Sequence, residues 1–155
     1  MASRSRDTFM VCLQRVVARG YREQVSAACY AHAAPDGRLG AVLYDLTTLY
    51  FETPKEDALR KVGMSKERRV DPQVTVGLLC DVGGFPLAVH LFEGNKGETK
   101  TLIPVLTEFK AAHNANELIV VADAGMLSAK NLLALASRFH GVVALGVCRW
   151  PEKCP

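Results

Sequence analysis

Hydrophobic and polar positions alternate along this chain with a period that changes from block to block. Over residues 8–32, Phe9, Leu13, Val16 and Val17 recur at helical spacing until Gly20 interrupts them, which predicts a helical segment. Pro35-Asp36-Gly37 is a turn signal and a boundary. Residues 39–51 are rich in Tyr, Thr and Leu and predict a strand. Residues 53–71 are polar and basic, punctuated by Pro54, Gly63 and Pro72, and predict a long loop with a helical turn over 56–61. Val74, Val76, Leu78 and Cys80 then alternate on one face, Asp81-Val82-Gly83-Gly84 turns the chain, and Leu87, Val89 and Leu91 form a returning face. Together these predict a β-hairpin.

The second half changes period again. A loop over 93–97 leads to a predicted helix with Thr99 or Thr101 as cap, Pro104 in its first turn, and Leu102, Leu106 and Phe109 on one face. Residues 118–122 are continuously apolar, as in a strand buried on both sides. Ser128 can cap a further helix carrying Leu132, Leu135 and Phe139, and residues 142–147 predict one more apolar strand. Residues 148–155 contain two prolines and no periodicity. Three strands joined without helices suit an antiparallel meander, and two later strands reached through helices suit right-handed parallel crossovers. The expected architecture is α/β: a mixed five-stranded sheet with flanking helices. Its parts are a helical arm (1–37), a core (38–147) and an irregular tail (148–155).

Composition adds limits. A chain of 155 residues, 49% hydrophobic and 23% charged, is long enough for one domain with its own core. The net charge of +3 permits nucleic-acid binding without demanding it. The charge is unevenly spread: Arg4, Arg6, Arg15, Arg19 and Arg22 crowd the start, and Lys55, Arg60, Lys61, Lys66, Arg68 and Arg69 crowd the long loop. Five cysteines lie scattered without a close pair, which fits a reduced cytoplasmic compartment and argues against a zinc site. The start lacks the apolar region of a secretory signal, and no apolar run is long enough to span a membrane.

Candidate chemistry rests on Asp45 and Asp123. Asp45 interrupts a run of aromatic and β-branched residues, and Asp123 ends another. A carboxylate in such surroundings is costly unless something pairs with it. In a sheet ordered 3-2-1-4-5 the first and fourth strands are parallel neighbours, about 4.8 Å apart, so the two carboxylates could share metal ions. Ligands that are all oxygen favour Mg²⁺ or Mn²⁺ over zinc. A pair of such ions suits phosphodiester displacement. The plainer reading is a strand aspartate bonded to Thr47 or Thr48 and a turn former before Ala124-Gly125; their joint placement favours the metal. An aspartyl nucleophile for phosphotransfer ranks last, because that chemistry usually wants a second acid where Thr47 stands.

The segments YDLTTLYFE (44–52), LRKVGMSKERR (59–69), DPQVTVGLLCDVGGFPLAVHLFEGNKGETKTL (71–102) and IVVADAGMLSAKNLLAL (119–135) carry a family resemblance. Over residues 40–147 the chain resembles a bacterial insertion-sequence transposase of the DDE class. The resemblance implies a ribonuclease-H-like core in which Asp45 and Asp123 are the first two catalytic, metal-binding acids. It implies two divalent ions, nicking of DNA at element ends, and joining of the freed 3′-hydroxyl to a target. Lys61, Lys66, Arg68 and Arg69 would contact phosphates, and a homodimer or a full-length transposase would be a partner. The family also uses a third acid, a Glu on a helix after the last core strand. Here the only acidic residue after Asp123 is Glu152, between prolines where a helix is disfavoured. The expectation is a core incomplete at its C-terminus and inactive alone, or a DNA-binding or dimerising remnant without catalysis. Gly94-Asn95 reads as a turn near the carboxylates, His90 as a half-buried strand residue, Arg149 and Trp150 as a frayed end, and Cys80 and Cys148 as small core residues.

Overall fold

The first strand, β1 (Ala41–Tyr50), organises everything around it. Its even-numbered residues point to one side, where Val42 and Tyr44 are buried, and its odd-numbered ones point to the other. The computed structural model describes residues 6–63, 71–115, 118–139 and 141–145 of the chain. Antiparallel to β1 runs β2 (Gln73–Asp81), which turns into β3 (Pro86–Glu93). Asp81 makes that turn: its Oδ1 accepts from the backbone N–H of Gly83 and of Phe85, both at 2.8 Å, while Gly84 takes φ +83°. On the other side of β1, β4 (Ile119–Asp123) runs parallel, followed outward by parallel β5 (Gly141–Leu145). The sheet order is β3-β2-β1-β4-β5, the order expected from the strand and helix sequence.

Helices cover one face. Two arm helices, α1 (Arg6–Ala18) and α2 (Tyr21–Ala33), meet at Gly20, whose φ of +59° breaks the helical path. α3 (Leu102–His113) buries Leu102, Val105, Leu106 and Phe109, and α4 (Ala129–Ala136) buries Asn131 and Leu135. These apolar side chains form one core with Val42, Tyr44, Leu79, Val120 and Ala122, and Tyr30 and Ala33 of α2 pack against its edge. Tyr30 stacks on His113 with ring centroids 4.5 Å apart and meets Phe109 edge-on at 5.8 Å. α1 buries none of its residues.

Several expectations need correction. β4 is not buried on both sides: Ile119 is 41% exposed, because the helices of the described residues lie on the opposite face. An apolar run is compatible with both faces being covered but does not supply the second cover. Leu87 does not share an environment with Val89 and Leu91. A register shift between Leu79 and Cys80 turns Leu87 into the core, while Val89 and Leu91 stay on the open face. Thr101 does not cap α3 with its side chain. The short 3₁₀ turn Glu98–Lys100 feeds straight into α3, so Thr101 stays helical and its hydroxyl donates backward to Glu98 O at 2.8 Å. Ser128 does cap α4, accepting from Asn131 N–H at 3.2 Å.

No helical turn forms over 56–61. Asp57 bends that stretch instead, its carboxylate accepting from Leu59 N–H at 2.9 Å, Arg60 N–H at 2.7 Å and Arg60 Nε at 2.6 Å. Cys12, Cys29 and Cys80 are free thiols. Among the described residues, no helix is long and apolar enough to cross a membrane.

Candidate active site

Strand pairing brings Asp45 and Asp123 together. β1 and β4 run in parallel register from Ala41 beside Ile119 to Tyr44 beside Ala122. One step further along both strands sets Asp45 next to Asp123. By strand alternation both project from the face that carries Leu43, Thr47, Ile119 and Val121, opposite the helices. Asp123 ends its strand, and the N–H of Gly125 donates to its Oδ1 at 3.4 Å across the 3₁₀ turn Ala124–Met126.

One expectation changes here. Asp45 was expected to pay a burial cost that a partner must offset, but both aspartates are exposed. Their face of the sheet is the open one, so desolvation gives no argument for a ligand. What remains is juxtaposition: two carboxylates on adjacent rigid strands at the carboxyl ends of a parallel pair, where open α/β sheets usually place their sites. As a donor set the pair suits a hard divalent cation that completes its shell with water or phosphate oxygens. Among the described residues, no group of three or more His, Cys, Asp or Glu side chains converges.

The basic loop is more neutral than its composition suggests. Arg60 is paired with Asp57 and lies 5.5 Å over the Phe51 ring. The backbone N–H of Arg60, its guanidinium and the backbone N–H of Leu59 hold the Asp57 carboxyl down to about 2. Lys61 Nζ sits 3.8 Å from Glu56 Oε2. The Lys61 backbone exchanges two hydrogen bonds with Gln73, at 3.0 and 2.9 Å, and Leu59 O accepts from Gly94 N–H at 3.0 Å. The loop is therefore stitched to the ends of β2 and β3. Gly94 has to be glycine there, because a Cβ would fall 2.0 Å from Gln73 O. Lys66, Arg68 and Arg69, with Glu152, Cys148, Arg149 and Trp150, lie outside the described residues.

A cleft of about 640 Å³ opens past the end of β4, mainly on the helix side of the sheet, the face opposite the two carboxylates. Its walls are Leu46, Thr47, Thr48 and Tyr50 of β1, Gln73 and Thr75 of β2, the loop Gly94 to Thr99, and Gly125. It lies where β4 has ended and the edge of β1 is unpaired on that side. Asn131 fixes its geometry: Nδ2 donates to Thr99 O at 2.7 Å and to Met126 O at 2.9 Å, tying the cleft loop to the turn after Asp123. The chain's pattern pointed to a turn at Gly94-Asn95 but not to Lys96, Thr99, Gln73 or Asn131. The polar run after β3 was the available signal, and its meaning depends on a crossing that only the fold creates. His90 is half-buried on the helix side, 3.9 Å from Glu108, and burial pulls its imidazole below the ordinary value against the pull of Glu108.

A family model described as "Transposase DDE domain" matches residues 37–146. Solved structures with local likeness include a Mos1 transposase paired-end complex with left transposon end, at 10% identity and TM-score 0.44, over 77% of this chain and 40% of that one. A piggyBac transposase synaptic complex with hairpin DNA matches at 16% identity and TM-score 0.46, over 76% of this chain and 25% of that one. A Mos1 mariner paired end complex with Mn matches at 12% identity and TM-score 0.42, over 77% of this chain and 40% of that one. This chain therefore spans two fifths or less of those three chains. No curated protein matches the chain.

Proposed function

The chain belongs to the transposase DDE domain family, and from that premise we propose that it is the part of a DNA strand-cleavage and strand-transfer enzyme that holds divalent metal through Asp45 and Asp123. The sheet order β3-β2-β1-β4-β5 is the ribonuclease-H-like arrangement that the family resemblance implies. The observation that carries the proposal is the parallel register of β1 and β4, which makes neighbours of two acids far apart in the sequence.

The residues divide the work as follows. Asp45 and Asp123 bind Mg²⁺ or Mn²⁺ through oxygen. Two such ions, if held there, would supply activation of a water or 3′-hydroxyl and charge stabilisation for the leaving oxygen of an in-line displacement. Asp45 sits on a strand held by β2 along its whole length, so its position is set by backbone pairing rather than by a loop. Gly125 N–H steadies one oxygen of Asp123 and leaves the other available. Lys61, with Lys66, Arg68 and Arg69, contacts the DNA backbone at transposon ends and target. A second copy of the chain or a full-length transposase is its protein partner, and the work is done on DNA in the cytoplasm.

Titration calorimetry with Mn²⁺ tests the assignment. Asp45→Asn and Asp123→Asn should each weaken binding at least about tenfold, since removing one of two charged ligands typically costs that much or more. Equal binding by the native chain and both variants would sink it. A second reading is a DNA-binding module without cleavage, held to its basic loop by the Lys61–Gln73 backbone pair. Salt-sensitive DNA binding with no metal-dependent nicking, in the presence of a full-length transposase, would favour that reading.

A further inference from the structure

We propose that helix α1 of one copy docks on the open sheet face of a second copy, with Arg6 set against the carboxylates of that face. The inference rests on the proposed partnership with a second copy and adds which two surfaces meet.

The arm offers the first surface. α1 buries none of its residues. Phe9, Leu13 and Val17 recur at every fourth position, so they form one stripe along the helix, and they are 58% to 81% exposed. Met10 borders the stripe and is exposed as well. Arg6 stands on the same side, one turn before Phe9 and Met10. An apolar stripe left uncovered by its own chain marks a contact with another surface.

The sheet offers the second. Leu78, Val89, Leu91 and Ile119 lie on the face away from the helices and are 39% to 47% exposed. Strand alternation puts Asp45, Glu93 and Asp123 on that same face, all exposed, and β1 to β4 place no basic side chain there. A sheet with apolar residues on both faces is normally covered on both. α1 has the length to serve as cover: its 13 residues span about 20 Å, against about 14 Å across the four strands from β3 to β4.

Charge decides which surfaces pair. Two open sheet faces brought together would set carboxylates against carboxylates, which opposes association. Two α1 helices brought together would leave both sheet faces uncovered. α1 on the sheet joins an apolar stripe to an apolar face and sets an arginine against acids. A twofold exchange makes that contact twice, once with each arm, and so doubles the area buried toward the roughly 1,200–2,000 Å² of a stable interface.

Sedimentation equilibrium of the full chain tests the docking, in EDTA so that the carboxylates hold no metal. The native chain should pair reversibly, and less tightly as salt is raised. Leu13→Glu on the arm and Leu91→Lys on the sheet should each weaken pairing about tenfold or more, because each puts a charge into an apolar contact. Arg6→Glu should weaken it too and remove most of the salt dependence. An equimolar mixture of the Leu13→Glu and Leu91→Lys chains should pair more tightly than either alone, because one native arm then meets one native sheet face. All three positions are exposed, and an unchanged circular dichroism spectrum shows that each variant keeps the fold. A native chain that stays monomeric would overturn the docking. So would a loss confined to one of Leu13→Glu and Leu91→Lys, or a mixture no tighter than its parts. Loss of Mn²⁺ binding in Asp45→Asn together with native pairing in Leu13→Glu and Leu91→Lys leaves the metal site standing without the docking. The reverse pair of results leaves the docking standing without the metal site.

Discussion

At the scale of single residues, close approaches decide which side chains can be changed. Gly77 faces Tyr44 across the β1–β2 pair, and a Cβ there would lie 2.5 Å from the Tyr44 hydroxyl and 3.0 Å from its ring. Tyr44 is 2% exposed, and burial pushes its ionisation upward against a side-chain interaction with Thr101. Gly77→Ala should therefore destabilise the fold by about 1–3 kcal/mol, the usual cost of overpacking, as read by urea unfolding. Asn131 makes a different prediction. It is 8% exposed and supplies donors to Thr99 O and Met126 O. Asn131→Ala should cost about 2–3 kcal/mol, because two carbonyls lose their donor. It should also speed hydrogen exchange in the cleft loop more than in β2. If the variant unfolds at the native urea concentration, the tether is not structural.

At the scale of elements, the seam between the arm and the core contains two histidines, His90 and His113. His113 stacks on Tyr30 of α2, and its Nε2 lies 3.3 Å from Ser26 Oγ. His90 stands across from Arg22 and Glu108 at the same seam. Burial lowers the pKa of both imidazoles from the ordinary 6.5; for His90, Glu108 opposes this and Arg22 adds to it. A lowered folded-state pKa means that the neutral form is favoured on folding. The stabilisation is fully present above pH 6.5 and is lost as pH falls through the lowered values. Exchange in α2 should accelerate on acidification over that window, and His113→Gln should flatten the dependence. Acceleration on raising the pH instead would contradict the seam.

Legibility also divides at this scale. The hairpin, the sheet order and the α4 cap were readable because alternation, turn residues and a Ser before an apolar run are local signals. The bulge at Leu79, the bonding of Thr101 and the choice of covered face were not. Each depends on what packs against the element, and the apolar residues at 119–121 suit either outcome. Asp45 shows the limit most plainly. Its pairing with Asp123 followed from topology, while its exposure followed from which face the helices left open.

At the scale of the whole molecule, the described residues cover one face of the sheet and leave the other open. On the open one, Leu49, Leu78, Val89, Leu91 and Ile119 range from 39% to 50% exposed around the two aspartates. An apolar patch of this kind is where a soluble protein meets another surface. Leu91→Lys or Val89→Lys should change stability by no more than about 0.5 kcal/mol, because these side chains bury little in the fold. Either should reduce binding of a hydrophobic dye and concentration-dependent association, read by fluorescence and light scattering. A large loss of stability would mean that the face is packed in solution.

The central claim is that Asp45 and Asp123 jointly hold a divalent cation, and affinity cleavage locates such a cation directly. Fe²⁺ loaded in place of Mg²⁺, with ascorbate and peroxide, generates radicals that cut backbone near the ion. The account predicts cuts clustered beside Asp45 on β1 and beside Asp123 at the end of β4, suppressed by excess Mn²⁺ and absent from the Asp45→Asn, Asp123→Asn double variant. Cuts located elsewhere, or cuts that persist unchanged in the double variant, would contradict it.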